Sequence, residues 1–168
     1  MNVALVGYRG TGKSAVARLV GERLGLEVVS LDAELEQVAG QPIPRVVAER
    51  GWSGFRDLEE QIVQRFAGRD GLVLDCGGGV VEREGNFGVL RSSGVVILLT
   101  AKVATIVDRI AGDTQRPSLT GRSFTDEVAE VLERRRPLYE RLAHHRVPTD
   151  GRSLEEVAAE IVQLVRPE

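Results

Sequence analysis

Short apolar runs alternate along the chain with longer stretches in which apolar residues recur at helical spacing. The short runs are nearly continuous in Val, Leu and Ile, which is typical of strands buried on both faces of a parallel sheet. The predicted strands are Asn2–Val6, Glu27–Ser30, Gly71–Asp75, Val95–Thr100 and Arg146–Pro148. The predicted helices are Ser14–Leu24, Ala33–Ala39, Ile43–Arg50, Phe55–Phe66, Val103–Ala111, Asp126–Ala143 and Leu154–Val165. This alternation indicates an α/β fold built from βαβ units.

One interval, Asp113–Ser123, fits neither pattern. It is polar, contains Gly and Pro, and has no hydrophobic periodicity. An interval of this length without a predicted element is uncommon inside a compact domain, and is either functional or disordered. Gly25, Gly40, Gly51 and Gly112 stand where the predicted helices would end.

The composition is that of one ordinary globular domain. The chain has 168 residues, 42% of them hydrophobic and 28% charged, so we expect residues 1–168 to form a single domain. The formal net charge of −3 provides no strong basic field, and we expect no nucleic-acid or membrane partner. The single cysteine, Cys76, cannot form an internal disulfide, and no signal-peptide pattern opens the sequence. We therefore expect a cytoplasmic monomer.

The segment Gly7–Ser14 matches the phosphate-binding pattern G-x-x-x-x-G-K-[ST] and lies between a predicted strand and a predicted helix. Its glycines allow backbone N–H groups to surround a phosphate at the N terminus of that helix. Lys13 would reach the β- and γ-phosphates, and Ser14 would offer a hydroxyl ligand to Mg²⁺. An incidental Gly-rich turn is a poor alternative, because Lys13 and Lys102 are the only lysines among 22 basic residues. The predicted nucleotide-binding residues of this loop are Gly7, Gly10, Thr11, Gly12, Lys13, Ser14 and Ala15.

Four further features follow the phosphate-binding loop in order along the chain. They are Asp32, Phe55-Arg56, Gly77-Gly78-Gly79 and the segment Arg135–Tyr139. The ends of parallel strands share one edge of the sheet, where ligands bind in open α/β folds, so these residues can converge there. Two arginines, a carboxylate and exposed backbone amides suit a small polyhydroxylated carboxylic acid. Together with Arg116-Pro117, this ordered set closely resembles the shikimate kinase family over essentially the whole chain.

The resemblance implies a fold, a reaction and a cofactor. The fold is a three-layer α/β/α P-loop kinase like the nucleoside-monophosphate kinases, with a five-stranded parallel sheet and a mobile lid. The reaction is transfer of the γ-phosphoryl group of ATP to the 3-hydroxyl of shikimate, a step of chorismate and aromatic amino-acid biosynthesis, with Mg²⁺ as cofactor. The substrate-binding helical region would span about residues 32–61 and the lid about residues 112–124.

The resemblance also implies roles for the acceptor residues. Arg56 and Arg135 would clamp the shikimate carboxylate, for which the planar guanidinium is well suited. Asp32 would bind the substrate hydroxyls and accept the proton of the attacking one. The backbone amides of Gly77, Gly78 and Gly79 would hold the ring from the other side. Taken singly, either arginine could be a helix-surface residue, and Glu59 could either fix Arg56 or form a simple surface pair.

Three more arginines are assigned to the nucleotide side by the resemblance. Arg116, in the predicted lid, would close over the phosphates and complete a catalytic set with Lys13 and Asp32. Arg109 matches the position that packs against adenine, and Arg152 is a second candidate for that contact. Both could instead be ordinary solvated arginines.

The sequence departs from the family pattern after the second predicted strand. The family usually has Asp-x-Asp there, and this chain has Ser30-Leu31-Asp32, so the carboxylate that assists Mg²⁺ through water is missing. The third predicted strand ends in Asp75, as in a Walker B strand. We hypothesise that Asp75 reaches the outer shell around the metal from the neighbouring strand, without binding the ion directly, and replaces the charge lost at Ser30. Alternatively, Asp75 only caps the following turn, or Glu34 compensates.

Two other functions stay open from the sequence alone. One is a related P-loop kinase for another small hydroxy acid such as gluconate, although its pocket would not specifically need two arginines, Asp32 and a triple glycine. The other is a non-catalytic nucleotide-binding homologue, which is suggested only by Ser30. The chain retains the residues that such a protein would be expected to lose, namely Lys13, Ser14, Asp32, Arg56, Arg116 and Arg135.

Overall fold

Five parallel strands form one sheet in the computed structural model, which describes residues 1–110 and 124–166. The order across the sheet is β2-β3-β1-β4-β5. The strands are β1 Asn2–Val6, β2 Glu27–Ser30, β3 Leu72–Asp75, β4 Gly94–Thr100 and β5 His145–Pro148. All five predicted strands are confirmed, and each begins within one residue of the predicted start.

Seven helices and a short 3-10 turn connect and flank the strands in the described ranges. They are α1 Lys13–Leu24, α2 Leu31–Ala39, α3 Ile43–Ala67, the 3-10 turn Val80–Glu82, α4 Gly85–Ser93, α5 Val103–Ile110, α6 Phe124–Leu142 and α7 Leu154–Val165. The two helices predicted before β3 are one helix, α3, with a kink at Gly51, where φ is 72°. The predicted lid at about residues 112–124 lies outside the described residues, except that α6 begins at its last position.

The two faces of the sheet are covered by different helices, and β1 shows the alternation. Val3 and Leu5 pack on one face in a core that includes α1 and α7. Ala4 and Val6 face the other side, where α2, α3, α4 and the end of α6 cover the sheet. This arrangement confirms the three-layer α/β/α prediction.

Helix α4 was not predicted from the sequence. Its segment contains two glycines and two serines, so neither helix propensity nor a clear amphipathic pattern identifies it. Tertiary contacts stabilise it instead, because Leu90 is fully buried and the amide of Asn86 donates to the carbonyl oxygen of Val80 at 2.9 Å. The helix therefore forms because its apolar side chains are buried against the core, and not because of a local helical preference.

The topology creates a crevice at the carboxyl edge of the sheet. β1 continues into the segment before α1 on one face, whereas β3, its neighbour, leads toward α4 on the other face. The chain therefore leaves these two adjacent strands in opposite directions, which is where open α/β sheets bind ligands. Within residues 1–110 and 124–166, no helix is long and apolar enough to cross a membrane.

Replacing Leu90 by Ala tests whether α4 is part of the core. We expect the free energy of unfolding to fall by about 2–5 kcal/mol, because the change leaves a cavity under the helix. Urea denaturation measures the effect. Val38→Ala is the control, since Val38 is 51% exposed. Equal stabilities of the two variants would contradict this account of α4.

Candidate active site

The phosphate-binding loop joins β1 to α1 in a conformation that depends on glycine. Gly10 and Gly12 have φ angles of 83° and 87°, in the left-handed region that other residues rarely adopt. No side chain caps the N terminus of α1, so its first N–H groups are left for a ligand. The loop opens into a cavity of about 410 Å³. Its lining includes the predicted residues Gly10, Gly12, Lys13, Ser14, Ala15, Asp32, Asp75, Gly77 and Gly78.

Lys13 folds back over the loop. Its Nζ donates to the carbonyl oxygens of Gly7 at 2.6 Å and Tyr8 at 3.1 Å. The Thr11 hydroxyl also donates to the Tyr8 carbonyl oxygen, at 2.8 Å, which fixes the shape of the loop from inside. The charge of Lys13 therefore lies at the wall of the cavity.

Asp75 lies directly beside the phosphate-binding loop. Its Oδ2 accepts a hydrogen bond of 2.6 Å from the hydroxyl of Ser14, the residue predicted to bind the metal. Asp75 also pairs in register with Ser30 on the adjacent strand, so the two Cα positions are about 5 Å apart. Ser30 itself caps α2 by accepting from the N–H of Ala33. The carboxylate predicted to replace the one missing at Ser30 thus stands one strand away from it.

Burial raises the pKa of Asp75 above its ordinary value, and the hydrogen bond from Ser14 and the charge of Lys13 only partly oppose this. Asp75 is 8% exposed, so its ionised form has lost most of its hydration. A cation next to it, in addition to Lys13, would stabilise that ionised form. The site therefore has an oxygen pair that suits Mg²⁺, a hydroxyl and a carboxylate.

The turn of Gly77, Gly78 and Gly79 separates two sets of charged side chains. A Cβ on Gly77 would stand 2.7 Å from Oδ1 of Asp32, and a Cβ on Gly79 would overlap the guanidinium of Arg56. The absent side chains thus make room for the chain's own charged groups as well as for a ligand. Glycine is required here by close approach.

Arg56 is held almost entirely out of solvent. It is 6% exposed, and its Nη1 donates to Oε1 of Glu59 at 2.9 Å. Its guanidinium also lies 5.3 Å from the ring centre of Trp52 and 5.0 Å from that of Phe55. Because Glu59 is only 3% exposed, the pair is a buried one and not the surface pair that the sequence also allowed.

Arg135 approaches the glycine turn from α6, beside Gly78. It is 3% exposed, and its Nε donates to Oε1 of Glu82 at 2.7 Å. Four residues later the hydroxyl of Tyr139 donates to the Gly78 carbonyl oxygen, which ties α6 to the turn. Arg135 and Arg56 share the lining of a cavity of about 320 Å³ with Trp52, Ser53, Glu82, Arg83 and Arg134.

Sequence reasoning missed Glu82. It belongs to no motif, and only its position three residues after the glycine turn could have indicated that it lies at the site. Its partner Arg135 comes from a helix 53 residues further along the chain, so the pairing depends entirely on tertiary structure.

Of the two arginines predicted for adenine, Arg109 contacts the phosphate-binding loop, whereas Arg152 pairs with groups of β5 and α7. Arg109 donates to the Gly10 carbonyl oxygen at 3.0 Å and to the Thr149 hydroxyl at 3.2 Å. Arg152 donates to the Pro148 carbonyl oxygen at 2.9 Å and pairs with Glu160 at 2.7 Å. Arg116, the predicted lid arginine, lies outside the described residues.

Comparisons with known proteins match this geometry. The family model described as shikimate kinase matches residues 9–166. The chain belongs to the shikimate kinase family. It is 42% identical to the shikimate kinase of Symbiobacterium thermophilum, over 97% of this chain and 95% of that one. It is also 42% identical to that of Nitratidesulfovibrio vulgaris, over 89% of this chain and 87% of that one.

A solved structure extends the comparison to the whole fold. The shikimate kinase from Acinetobacter baumannii in complex with shikimate superposes with a TM-score of 0.94 at 33% identity, covering 98% of this chain and 92% of that one. The P-loop kinase fold implied by the sequence resemblance is therefore confirmed. The chain is a kinase that transfers phosphate from ATP.

Asp75→Asn should stabilise the folded protein at neutral pH. The raised pKa means that the ionised form is disfavoured in the folded chain, so the contribution of Asp75 to stability is greatest below its ordinary value of 3.8 and is lost as the pH rises through the raised value. The neutral variant avoids this loss. Thermal unfolding should give a higher midpoint than the wild type at pH 7 and a difference that shrinks toward pH 4. A lower midpoint at pH 7 would contradict this.

Proposed function

We propose that this kinase transfers the γ-phosphoryl group of ATP to the 3-hydroxyl of shikimate, giving shikimate 3-phosphate for chorismate and aromatic amino-acid biosynthesis. One observation carries the proposal: two buried guanidinium groups, Arg56 and Arg135, share a cavity beside the glycine turn whose other side lines the phosphate site. The complex of the Acinetobacter baumannii relative with shikimate supports the choice of acceptor.

The arginines would bind the carboxylate of the acceptor. Arg56 and Arg135 come from two different helices, α3 and α6, and line one cavity, so both guanidinium groups would bind one planar anion there. Each guanidinium is already desolvated and oriented by a carboxylate, Glu59 or Glu82, and little side-chain entropy is lost on binding. This recognition fixes the ring and points its hydroxyls toward the phosphate site.

Asp32 would act on the attacking hydroxyl. It lies in the first turn of α2, and its Oδ1 is close to Gly77 in the cavity that also contains Lys13. From there the carboxylate can accept the hydroxyl proton as the oxygen attacks phosphorus. The backbone amides of Gly77, Gly78 and Gly79 would hold the ring on the opposite side.

Lys13 and the N terminus of α1 would bind the transferred phosphate and balance the charge that spreads over its oxygens. The hydroxyl of Ser14 would bind Mg²⁺, and Asp75, which accepts a hydrogen bond from that hydroxyl, would support the ion without binding it directly. When bound, the metal supplies positive charge to the β- and γ-phosphates. Arg116 from the lid, and Arg109 with Arg152 at the adenine, remain predictions for the rest of the nucleotide site.

The remaining expectations rest on the sequence and on its family resemblance. A cytoplasmic location, a monomeric state, and the lack of nucleic-acid and membrane partners stay predictions, as does the single domain with its substrate-binding region and lid. Gluconate, as the acceptor of a related kinase, and a non-catalytic homologue are outcomes of the test below.

Replacing either clamp arginine by Ala should raise the KM for shikimate by about 10–100-fold, because each removes a charge-assisted contact. The KM for ATP should change little. A coupled assay of ADP release, with and without shikimate, measures both values. Arg141→Ala is the control on α6, because Arg141 is exposed and pairs with Glu84. No acceleration by shikimate, with saturation by gluconate, would replace the proposed acceptor, and no turnover with any acid would indicate a non-catalytic homologue.

Asp75→Asn should also raise the Mg²⁺ concentration needed for half-maximal turnover by about tenfold, since the carboxylate that supports the proposed metal site becomes neutral. Titration of activity with Mg²⁺ at saturating ATP and acceptor gives this value. Asp70→Asn is the matched control, because the Asp70 side chain is 81% exposed and lies outside the cavity. An unchanged magnesium requirement would mean that Asp75 serves only the turn.

A further inference from the structure

Glu82 occupies a position that neither the phosphate-binding loop nor the substrate clamp explains. Its Oε1 accepts from Nε of Arg135 at 2.7 Å and from Nη2 of Arg134 at 2.8 Å. Its side chain is 24% exposed and lines the same cavity of about 320 Å³ as Arg56 and Arg135. A carboxylate therefore stands within the cavity proposed to receive the carboxylate of the substrate.

The backbone that carries Glu82 is held rigidly. Glu82 is the last residue of the 3-10 turn, and its backbone N–H donates to the Gly79 carbonyl oxygen at 2.9 Å. The preceding residue, Val81, is 1% exposed. The side-chain amide of Asn86 also donates to the carbonyl oxygen of Val80, the first residue of the turn. The carboxylate is thus fixed relative to the glycine turn, so it can fix the orientation of the long side chain of Arg135.

Glu82 stays ionised next to its partners. Burial works against its charge, but the hydrogen bonds from Arg135 and Arg134 outweigh burial and lower its pKa. Burial likewise works against the Arg135 cation, whereas Tyr139 and Glu82 raise the pKa of Arg135. A buried guanidinium without a counter-charge would be strongly destabilising, and Glu82 provides that charge.

The pair with Glu82 directs a terminal nitrogen of Arg135 toward the glycine turn. Glu82 binds the inner nitrogen, Nε, whereas Nη1 lies 3.5 Å from the position of a Cβ on Gly78. A guanidinium has five donors in a fixed plane, so binding at Nε sets the direction of the other nitrogens. Tyr139 also contacts the guanidinium and helps to hold it in this orientation.

We propose that Glu82 is a positioning residue that binds Nε of Arg135 and thereby aims the terminal nitrogens of Arg135 at the substrate carboxylate. The inference rests on the proposed function, since it presumes that Arg135 binds that carboxylate. Glu82 does for Arg135 what Glu59 does for Arg56, whose Nη1 it binds at 2.9 Å. In the competing role, Glu82 is a plug, which means that its carboxylate blocks Arg135 and must move away before the carboxylate of the substrate binds.

Steady-state kinetics of Glu82→Ala separates the two roles. A positioning residue predicts that the KM for shikimate rises about tenfold while kcat and the KM for ATP stay within about twofold. Glu82→Gln keeps the acceptor oxygen and loses the charge, so its KM should lie between those of the wild type and Glu82→Ala. An unchanged or lower KM for shikimate in Glu82→Ala would overturn the proposal, and a lower one would identify a plug.

Two further measurements exclude a merely structural effect. With the uncharged methyl ester of shikimate as acceptor, wild type and Glu82→Ala should have equal KM values, because the positioned group then has no anion to bind. In an Arg135→Ala background, adding Glu82→Ala should leave the KM for shikimate unchanged. An equal penalty with the ester, or full additivity of the two changes, would overturn the proposal.

Controls make each outcome decisive. Glu84→Ala is the matched variant, because Glu84 also pairs with an arginine of α6, Arg141, but is 71% exposed. It should leave the KM for shikimate unchanged. If Glu82→Ala does not fold, Glu82→Gln carries the test, and a wild-type KM in that folded variant would overturn the proposal. A wild type that shikimate does not saturate would show instead that the proposed function is wrong.

Discussion

The site depends on two guanidinium groups that are buried and are held in a fixed orientation by carboxylates. Arg56 and Arg135 are 6% and 3% exposed, and each is stabilised by a carboxylate that comes with its own rigid support. The three consecutive glycines of the turn after β3 allow this, because a side chain at Gly79 would overlap Arg56. Without paired acids the guanidinium groups would not stay buried, and without Gly79 that of Arg56 would not fit.

The same turn connects the acceptor side to the phosphate side. Gly77 and Gly78 line the cavity of the phosphate-binding loop, while Gly78 also accepts from Tyr139 of the helix that carries Arg135. The order β2-β3-β1-β4-β5 places β3 next to β1, so the turn after β3 and the loop after β1 border one crevice. Acceptor and phosphate donor are brought together by strand order and not by proximity along the chain.

Ser30 and Asp75 are neighbours in register on paired parallel strands, so both residues border the same space. A carboxylate at Asp75 would therefore lie close to the position of one at Ser30. Ser30 itself caps α2, a role that suits a hydroxyl. Burial makes the Asp75 anion unfavourable, so the Mg²⁺ proposed to bind at Ser14 would stabilise it.

The sequence by itself determined the strands and the phosphate-binding loop and singled out Arg56 and Arg135, because these depend on local hydrophobic runs and on residue spacing that the shikimate kinase family shares. Tertiary structure alone decided α4, whose glycines and serines carry no helical signal and whose stability comes from burying Leu90. It also decided the pairing of Glu82 with Arg135, since two residues so distant along the chain meet only after α6 packs against the 3-10 turn. Buried charge must be balanced in space, and no local pattern in a chain records which distant group will do it.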